Sequence, residues 1–467
     1  MVEVDVAVIG GGAAGLSAAL NARRKNASVA LIERARLGGD CTWTGCVPSK
    51  ALIERANAAQ AARRLGLSVE LDFAAIMEEV RAAIRTIAED ESRPVLEAAG
   101  ITVLEGQAAF VGPGHLNVEG TDVRTDVVIL ATGATAMVPP IDGLREASPL
   151  TNDTVFDLRE RPHRLAVLGG GPIGLELAQA FQRLGSQVTT FEGEDRLLPR
   201  EEREASEVVR TVVEAEGMQV VLGSLVERVE QGEDGLTLRT EDGRSATADA
   251  ILCALGRRPV TDGLELERAG VELDDRSFVQ VDEHLETTAP GVYAVGDIAG
   301  DLQFTHAGYD MGGLAVGNAL GRGNSSWSTR ALPWATFTEP EVGRVGLTEP
   351  EAYEQQGEQA QVAFLPMAET DRGRLSGHTE GFVKLIAGSR QLLRSAGGGE
   401  LLGATVVCPT GGELVHEAAL LMRTHGFTGR LAQTVHAYPS WAMTLRQTAA
   451  QFFREEGGRR ARAARPE

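Results

Sequence analysis

Residues 4–33, VDVAVIGGGAAGLSAALNARRKNASVALIE, decide the fold. A short apolar run from Val4 to Ile9 enters Gly10-Gly11-Gly12-Ala13-Ala14-Gly15. A helical pattern follows, then a second apolar run that ends at Glu33. Strand, tight glycine turn, helix, strand and acid, in that order, form a dinucleotide-binding fingerprint in its required context. Gly10 allows the turn, Gly12 lets the backbone approach a pyrophosphate, and Gly15 lets the helix pack on the strand. The helix N-terminus faces the phosphates and Glu33 can hold a ribose hydroxyl.

The pattern recurs. Residues 164–192, RLAVLGGGPIGLELAQAFQRLGSQVTTFE, hold a strand, then Gly169, Gly171 and Gly174, a helix, and a strand ending at Glu192. Two such sites in one chain suggest one bound flavin and one exchangeable nicotinamide; neither fingerprint alone says which is which. The rest of the chain fits around them. Residues 51–97 read as two long alanine-rich helices. Residues 101–130 read as short strands ending in DVVILATGA, 126–134. DAILCALGRRP, 249–259, closes the second unit in the same way, and GVYAVGDIAG, 291–300, delivers Asp297 from a strand. Residues 331–450 carry no glycine fingerprint and read as a separate α+β unit.

Composition narrows the function. The 467 residues are too many for one core. A net charge of −21 repels nucleic acid and anionic lipid, so neither is an expected partner. No apolar run is long enough to span a membrane, and the N-terminus reads as a strand rather than a signal peptide, so a cytoplasmic location is expected. Lysine occurs only at 25, 50 and 384. The last stretch, GGRRARAARPE, has no periodicity and is expected to be disordered.

Four cysteines are too few for a disulfide scaffold of this size. Cys253 and Cys408 lie in apolar runs and read as buried strand residues. Cys41 and Cys46, in GGDCTWTGCVPSK, 38–50, form a local unit. Their spacing and the lack of a second pair do not suit a metal clamp, so no metal is expected.

GGGAAG, the cysteine pair with VPSK, ATGA, GGGPIGLE, GRRP, GDIAG and FTEPEVGRVGLTE, 337–349, come in this order along the chain. In this the sequence resembles the FAD-dependent pyridine nucleotide–disulfide oxidoreductases, which include dihydrolipoamide dehydrogenase and mercuric reductase. The resemblance implies an α/β fold of two Rossmann-like dinucleotide-binding domains plus a C-terminal α+β interface domain. The expected divisions are 1–150 for FAD, 151–276 for NAD(P), 277–332 returning to the first unit, 333–452 for dimerisation and 453–467 as tail. It implies FAD on Gly10, Gly12, Gly15, Glu33, Lys50, Ala108, Thr132, Gly133, Asp297 and Thr305. It implies NAD(P) on Gly169, Gly171, Gly174, Glu192, Val226 and Gly256. Glu192 favours NADH, and Arg196 nearby leaves NADPH open.

By the same resemblance Cys41–Cys46 is a redox disulfide. Cys46 lies on the flavin as a charge-transfer thiolate, Cys41 attacks the acceptor, and Lys50 pairs with Glu176 beside the flavin. The protein would be a homodimer with its active site shared across the interface, acting on a small-molecule or thiol-bound acceptor. One departure stands out. The disulfide reductases carry a C-terminal His-Pro and a Glu four residues after the proline, an acid–base pair. Here the proline is Pro439, the histidine position holds Tyr438, and the glutamate position holds Met443; His436 comes two residues early. If the segment is extended, His436 and Tyr438 share a side. A disulfide or thiol-bound metal acceptor, as in mercuric reductase, is therefore favoured. Dihydrolipoamide dehydrogenase and a non-catalytic, partner-binding flavoprotein remain alternatives. Trp43 and Trp441 either line a substrate pocket or anchor packing, and His306 is expected to form a structural hydrogen bond.

Overall fold

The structure, a computed structural model, describes residues 1–300, 302–321, 323–389 and 396–466. The first glycine fingerprint opens a five-stranded parallel sheet. Its order is Val292–Ala294, Val127–Leu130, Val6–Ile9, Val29–Glu33, Ile101–Glu105. Its inner strands are apolar without alternation because helices cover a parallel sheet on its faces. The helix Ala13–Arg24 lies against Thr305–Leu320, so residues nearly 300 positions apart form one layer. Gly312 permits this approach, since a Cβ there would come within 2.3 Å of the Ala14 carbonyl oxygen.

The second fingerprint opens a four-stranded parallel sheet ordered Gln219–Leu222, Gln187–Glu192, Arg164–Leu168, Ala250–Cys253. A two-stranded antiparallel link, Ala134–Ala136 with Arg257–Pro259, ties the two units together. The predicted helical stretch after the cysteines is Cys46–Arg64 and Phe73–Asp90, with a short helix Arg93–Ala98. The last unit is a six-stranded antiparallel sheet carrying the helices Gly411–Arg423, Thr428–Gln433 and Ala442–Ala450.

The tail corrects an expectation. Residues 453–466 are ordered. Arg462–Ala463 forms the sixth strand of the last sheet, antiparallel to Gln361–Val362. Ala464 is buried among Ala352, Ala360, Val362 and Ile386. Arg462 pairs with Glu349, a bond the basic composition of the tail did not reveal. A short basic segment that finds a buried carboxylate and a small apolar hole has reason to be ordered.

Two buried ion clusters join the units. Lys384, 1% exposed, meets Glu202 at 3.0 Å, Glu204 at 2.7 Å and Glu349 at 3.0 Å. Arg183, 2% exposed, bonds Glu216 and Glu339, each at 2.5 Å. No helix among the described residues is long and apolar enough to cross a membrane.

Candidate active site

The fingerprint turns are built alike. Gly10 has φ +107°, and a Cβ there would fall 2.3 Å from the Ala131 carbonyl oxygen. Gly169 has φ +110° and stands 2.4 Å from the Ala254 oxygen by the same construction. Only glycine fits either place. Glu33 accepts hydrogen bonds from the Gly11 and Ala35 amides, both 2.7 Å. Glu192 accepts from Gly170 at 2.7 Å and Glu194 at 2.9 Å. Each acid therefore pins its own glycine turn while keeping lone pairs for a ribose hydroxyl.

A cavity of about 1120 Å³ runs from the first fingerprint to the cysteines. Gly10, Gly12, Glu33, Thr132, Gly133 and Asp297 line one part of it, and Cys41, Cys46, Lys50, Glu176 and Thr305 line another. The short helix Gly39–Trp43 carries Cys41, and Cys46 begins the helix that carries Lys50 one turn on. Cys46 Sγ lies 3.4 Å from Thr305 Oγ1, at the first turn of the helix Thr305–Leu320. The mutual hydrogen bond of the Cys41 and Cys46 thiols splits their acidities. It lowers the pKa of the Cys46 thiol, helped by Thr305 and the Lys50 charge, and raises the pKa of Cys41, helped by burial. The pair thus holds a thiolate on Cys46 and the proton on Cys41.

Lys50 Nζ is 2.7 Å from Glu176 Oε2 and 4.5 Å from the Phe337 ring centroid. Glu176 Oε1 accepts from the Phe337 amide at 2.9 Å. One residue from each of the three units thus fixes this charge pair, and Phe337 was not anticipated. Arg257, from the GRRP turn, was also missed as a site residue. It reaches Asp40 at 2.5 Å, the Ala134 carbonyl at 2.6 Å and Asp297 at 3.6 Å. Burial pushes the Asp297 pKa above the usual carboxylate range, and the Arg257 charge opposes it.

Other expected residues lie elsewhere. Ala108 and Val226 point into hydrophobic cores, so each can offer a ligand only its backbone, and neither lines the cavity. Gly169, Gly171, Gly174, Glu192 and Gly256 belong to the second turn, outside the cavity walls. The segment after Thr434 is a loop rather than a strand, with a cis Tyr438–Pro439 bond, so His436 and Tyr438 do not share a side. His436 places Nε2 3.1 Å from Glu417 and Nδ1 2.9 Å from the Thr434 carbonyl. Tyr438 is exposed and donates to Asp371 at 3.1 Å. Within one chain neither reaches the cysteines. His306 bonds the Pro333 carbonyl at 2.7 Å, a structural contact as expected. Trp43 donates to the Leu37 carbonyl at 2.7 Å and packs on the core while lining the cavity. Trp441 packs against the core of the last unit, with the Arg372 guanidinium 5.5 Å from its ring centroid, and does not line the cavity.

The residues suit the cofactors that the resemblance implies. A Cβ on Gly171 would meet nothing within 4 Å, which leaves bare backbone for a ligand at the second turn. At the first, Arg257 Nε is buried beside the cavity with no hydrogen-bond partner among the described residues, as a polar ligand would require.

Comparison with known proteins agrees. Residues 4–312 match the family described as pyridine nucleotide-disulphide oxidoreductase, and residues 332–449 match its dimerisation domain. A mercuric reductase of Streptomyces lividans is 37% identical over 464 residues, covering 96% of both chains. A dihydrolipoyl dehydrogenase of Thermus scotoductus is 34% identical, covering 96% of this chain and 97% of that one. Among solved structures, the Cu(II) complex of the HOCl-induced flavoprotein disulfide reductase RclA from Escherichia coli is 29% identical with a TM-score of 0.86. It covers 96% of this chain and 99% of its own. With both family models matched and the fold in agreement, the chain belongs to the pyridine nucleotide–disulphide oxidoreductases, enzymes that use FAD and NAD(P)H.

Proposed function

We propose that the protein passes electrons from NADH by way of FAD to Cys41–Cys46, and from that pair to a disulfide or a thiol-bound metal ion. The observation that carries this reading is the thiol pair itself, with Thr305 beside Cys46 and the Lys50–Glu176 pair at hand in the cofactor cavity. Bound FAD supplies a centre that takes hydride from a nicotinamide and returns the electron pair to a disulfide. The protein's residues do the rest. Glu176 and Phe337 hold the Lys50 charge in place. Cys41 attacks an acceptor disulfide as its proton passes to Cys46, the base within hydrogen-bond reach. A bond forms from Cys41 to one acceptor sulfur and the other sulfur leaves as a thiolate. Once Cys46 gives its proton to that thiolate, it closes on Cys41 and releases the second sulfur as a thiolate, so two electrons reach the acceptor.

Mercuric-reductase-like chemistry is favoured over dihydrolipoamide oxidation because Tyr438 and Met443 replace the proton-relaying pair, and both His436 nitrogens already have partners. Glu192 supports NADH, while Arg196 is turned to the Pro199 carbonyl at 3.0 Å. The dimerisation domain supports a homodimer whose partner closes the site. Exposed Leu375, Leu420, Val435 and Tyr438 on that domain fit a surface covered in the assembly. The deciding experiment is anaerobic stopped-flow reduction with NADH and NADPH, followed by lipoamide, glutathione disulfide, mercuric ion with excess thiol, and quinones. NADH should reduce the enzyme faster than NADPH. Turnover with a disulfide or with thiol-bound mercury should vanish in Cys41→Ser. Undiminished turnover in that variant would overturn the reading.

A further inference from the structure

Asp40 stands immediately before Cys41, in the first turn of the helix that carries it. Its carboxylate is 2.5 Å from the Arg257 guanidinium, which is only 13% exposed and comes from the turn that closes the second unit. The same guanidinium faces Asp297 at 3.6 Å and bonds the Ala134 carbonyl at 2.6 Å. Asp297 in turn feels Asp40 and Cys46 as like charges. Two carboxylates therefore share one arginine beside the redox pair. On the other side of the pair, Lys50 and Glu176 already balance each other.

We propose that the Asp40–Arg257–Asp297 cluster tunes the dithiol–disulfide equilibrium of Cys41–Cys46, with Asp40 and Arg257 as positioning residues of opposite sign. The inference rests on the redox-pair reading above. The reduced pair carries a thiolate and the disulfide carries no charge. A cluster with one excess negative charge disfavours the thiolate and makes the pair a stronger reductant. Removing the Asp40 charge leaves Arg257 matched to Asp297 and favours the dithiol. Removing the Arg257 charge leaves two unmatched carboxylates and favours the disulfide. The arginine also ties the redox loop to the second unit, so loosening that tie would be the purely structural effect of either change.

The two effects are separable by sign. The purified holoenzyme is equilibrated anaerobically with mixtures of reduced and oxidised dithiothreitol, then trapped with maleimide, and the modified cysteines are counted by mass. In this exchange the protein pair, one thiol and one thiolate, loses two electrons and one proton as its S–S bond forms, and oxidised dithiothreitol takes up the two electrons with that proton and one from solvent. Asp40→Asn should shift the equilibrium toward the dithiol by about tenfold, or ~30 mV for a two-electron couple. Arg257→Gln should shift it toward the disulfide by a similar factor. Arg257→Lys, which keeps the charge, should stay within about twofold of wild type. Flavin content and thermal melting show that each variant is folded. Shifts of the same sign in Asp40→Asn and Arg257→Gln, or shifts under twofold in both, overturn the inference and leave the redox pair standing. A wild type that exchanges with dithiothreitol at no ratio overturns the redox-pair reading, and this one with it.

Discussion

At the scale of single residues, the proposed choice of acceptor turns on Tyr438 and Met443, which stand where the disulfide reductases carry His and Glu. A tyrosine hydroxyl bonded to Asp371 has its acidity lowered further, so it is a poor base near neutral pH. General acid–base help of the missing kind contributes about 10²–10⁴-fold. Lipoamide turnover in the wild type is therefore expected to be slow by about that factor, while reduction by NADH is fast. Installing Tyr438→His with Met443→Glu should raise steady-state lipoamide turnover and leave the NADH half-reaction unchanged in stopped flow. His436→Gln should change neither rate, because both ring nitrogens serve the fold. Glu192→Ala should erode the NADH preference by roughly one charge-assisted hydrogen bond, about 1–3 kcal/mol. The ratio of kcat/KM for NADH and NADPH measures it. A preference left intact would move the discrimination to another residue of the second turn.

At the scale of elements, the strand Glu341–Gly346 and the helix Gly411–Arg423 meet at a carboxyl group. Glu341 accepts from the Gly412 amide at 2.9 Å, and burial pushes its pKa up to about 7. Glu413, Glu54 and Glu176 add like charge. The folded protein thus binds this proton more tightly than the unfolded chain does. Stability from Glu341 is whole below its ordinary value of 4.5 and is lost as pH rises from there through about 7. Glu341→Gln keeps an acceptor for the Gly412 amide and removes the charge. Its melting temperature should match that of wild type at about pH 4 and exceed it at about pH 8, by an amount equivalent to about 2 kcal/mol. Equal melting curves at both pH values would show that the carboxyl is solvated. The redox element follows similar logic. The helix beginning at Cys46 spaces Cys46 and Lys50 four residues apart, on one face, so a single element aims both at the cavity.

Across the whole molecule, the buried ions hold the units in register. Of the three lysines, two form ion pairs inside: Lys50 at the site and Lys384 between the second unit and the interface domain. Lys384→Met would leave Glu202 buried without its cation and Glu349 with Arg462 alone. Removing one partner from such a cluster costs about 3–5 kcal/mol. Guanidinium unfolding should show a loss of that order, with the two-unit cavity weakened as the interface domain loosens. A loss under about 1 kcal/mol would mean that Arg462 alone satisfies Glu349.

Much of this was written in the chain itself. The glycine turns, their closing acids and the cysteine pair are local patterns, set by backbone sterics and by neighbours a few residues apart. The two parallel sheets, the redox loop and the Lys50–Glu176 pair could be expected from them and from the family they point to. What the sequence could not tell was which distant groups meet. Arg257 reaching Asp40 across 217 positions, Phe337 closing over Lys50, and the tail finding Glu349 are packing outcomes without a local signature. The tail shows why. Its composition predicted disorder because composition counts the charges it carries. Only tertiary structure places a buried carboxylate where those charges can be satisfied, and that decides whether a basic, glycine-rich end stays loose or becomes a strand.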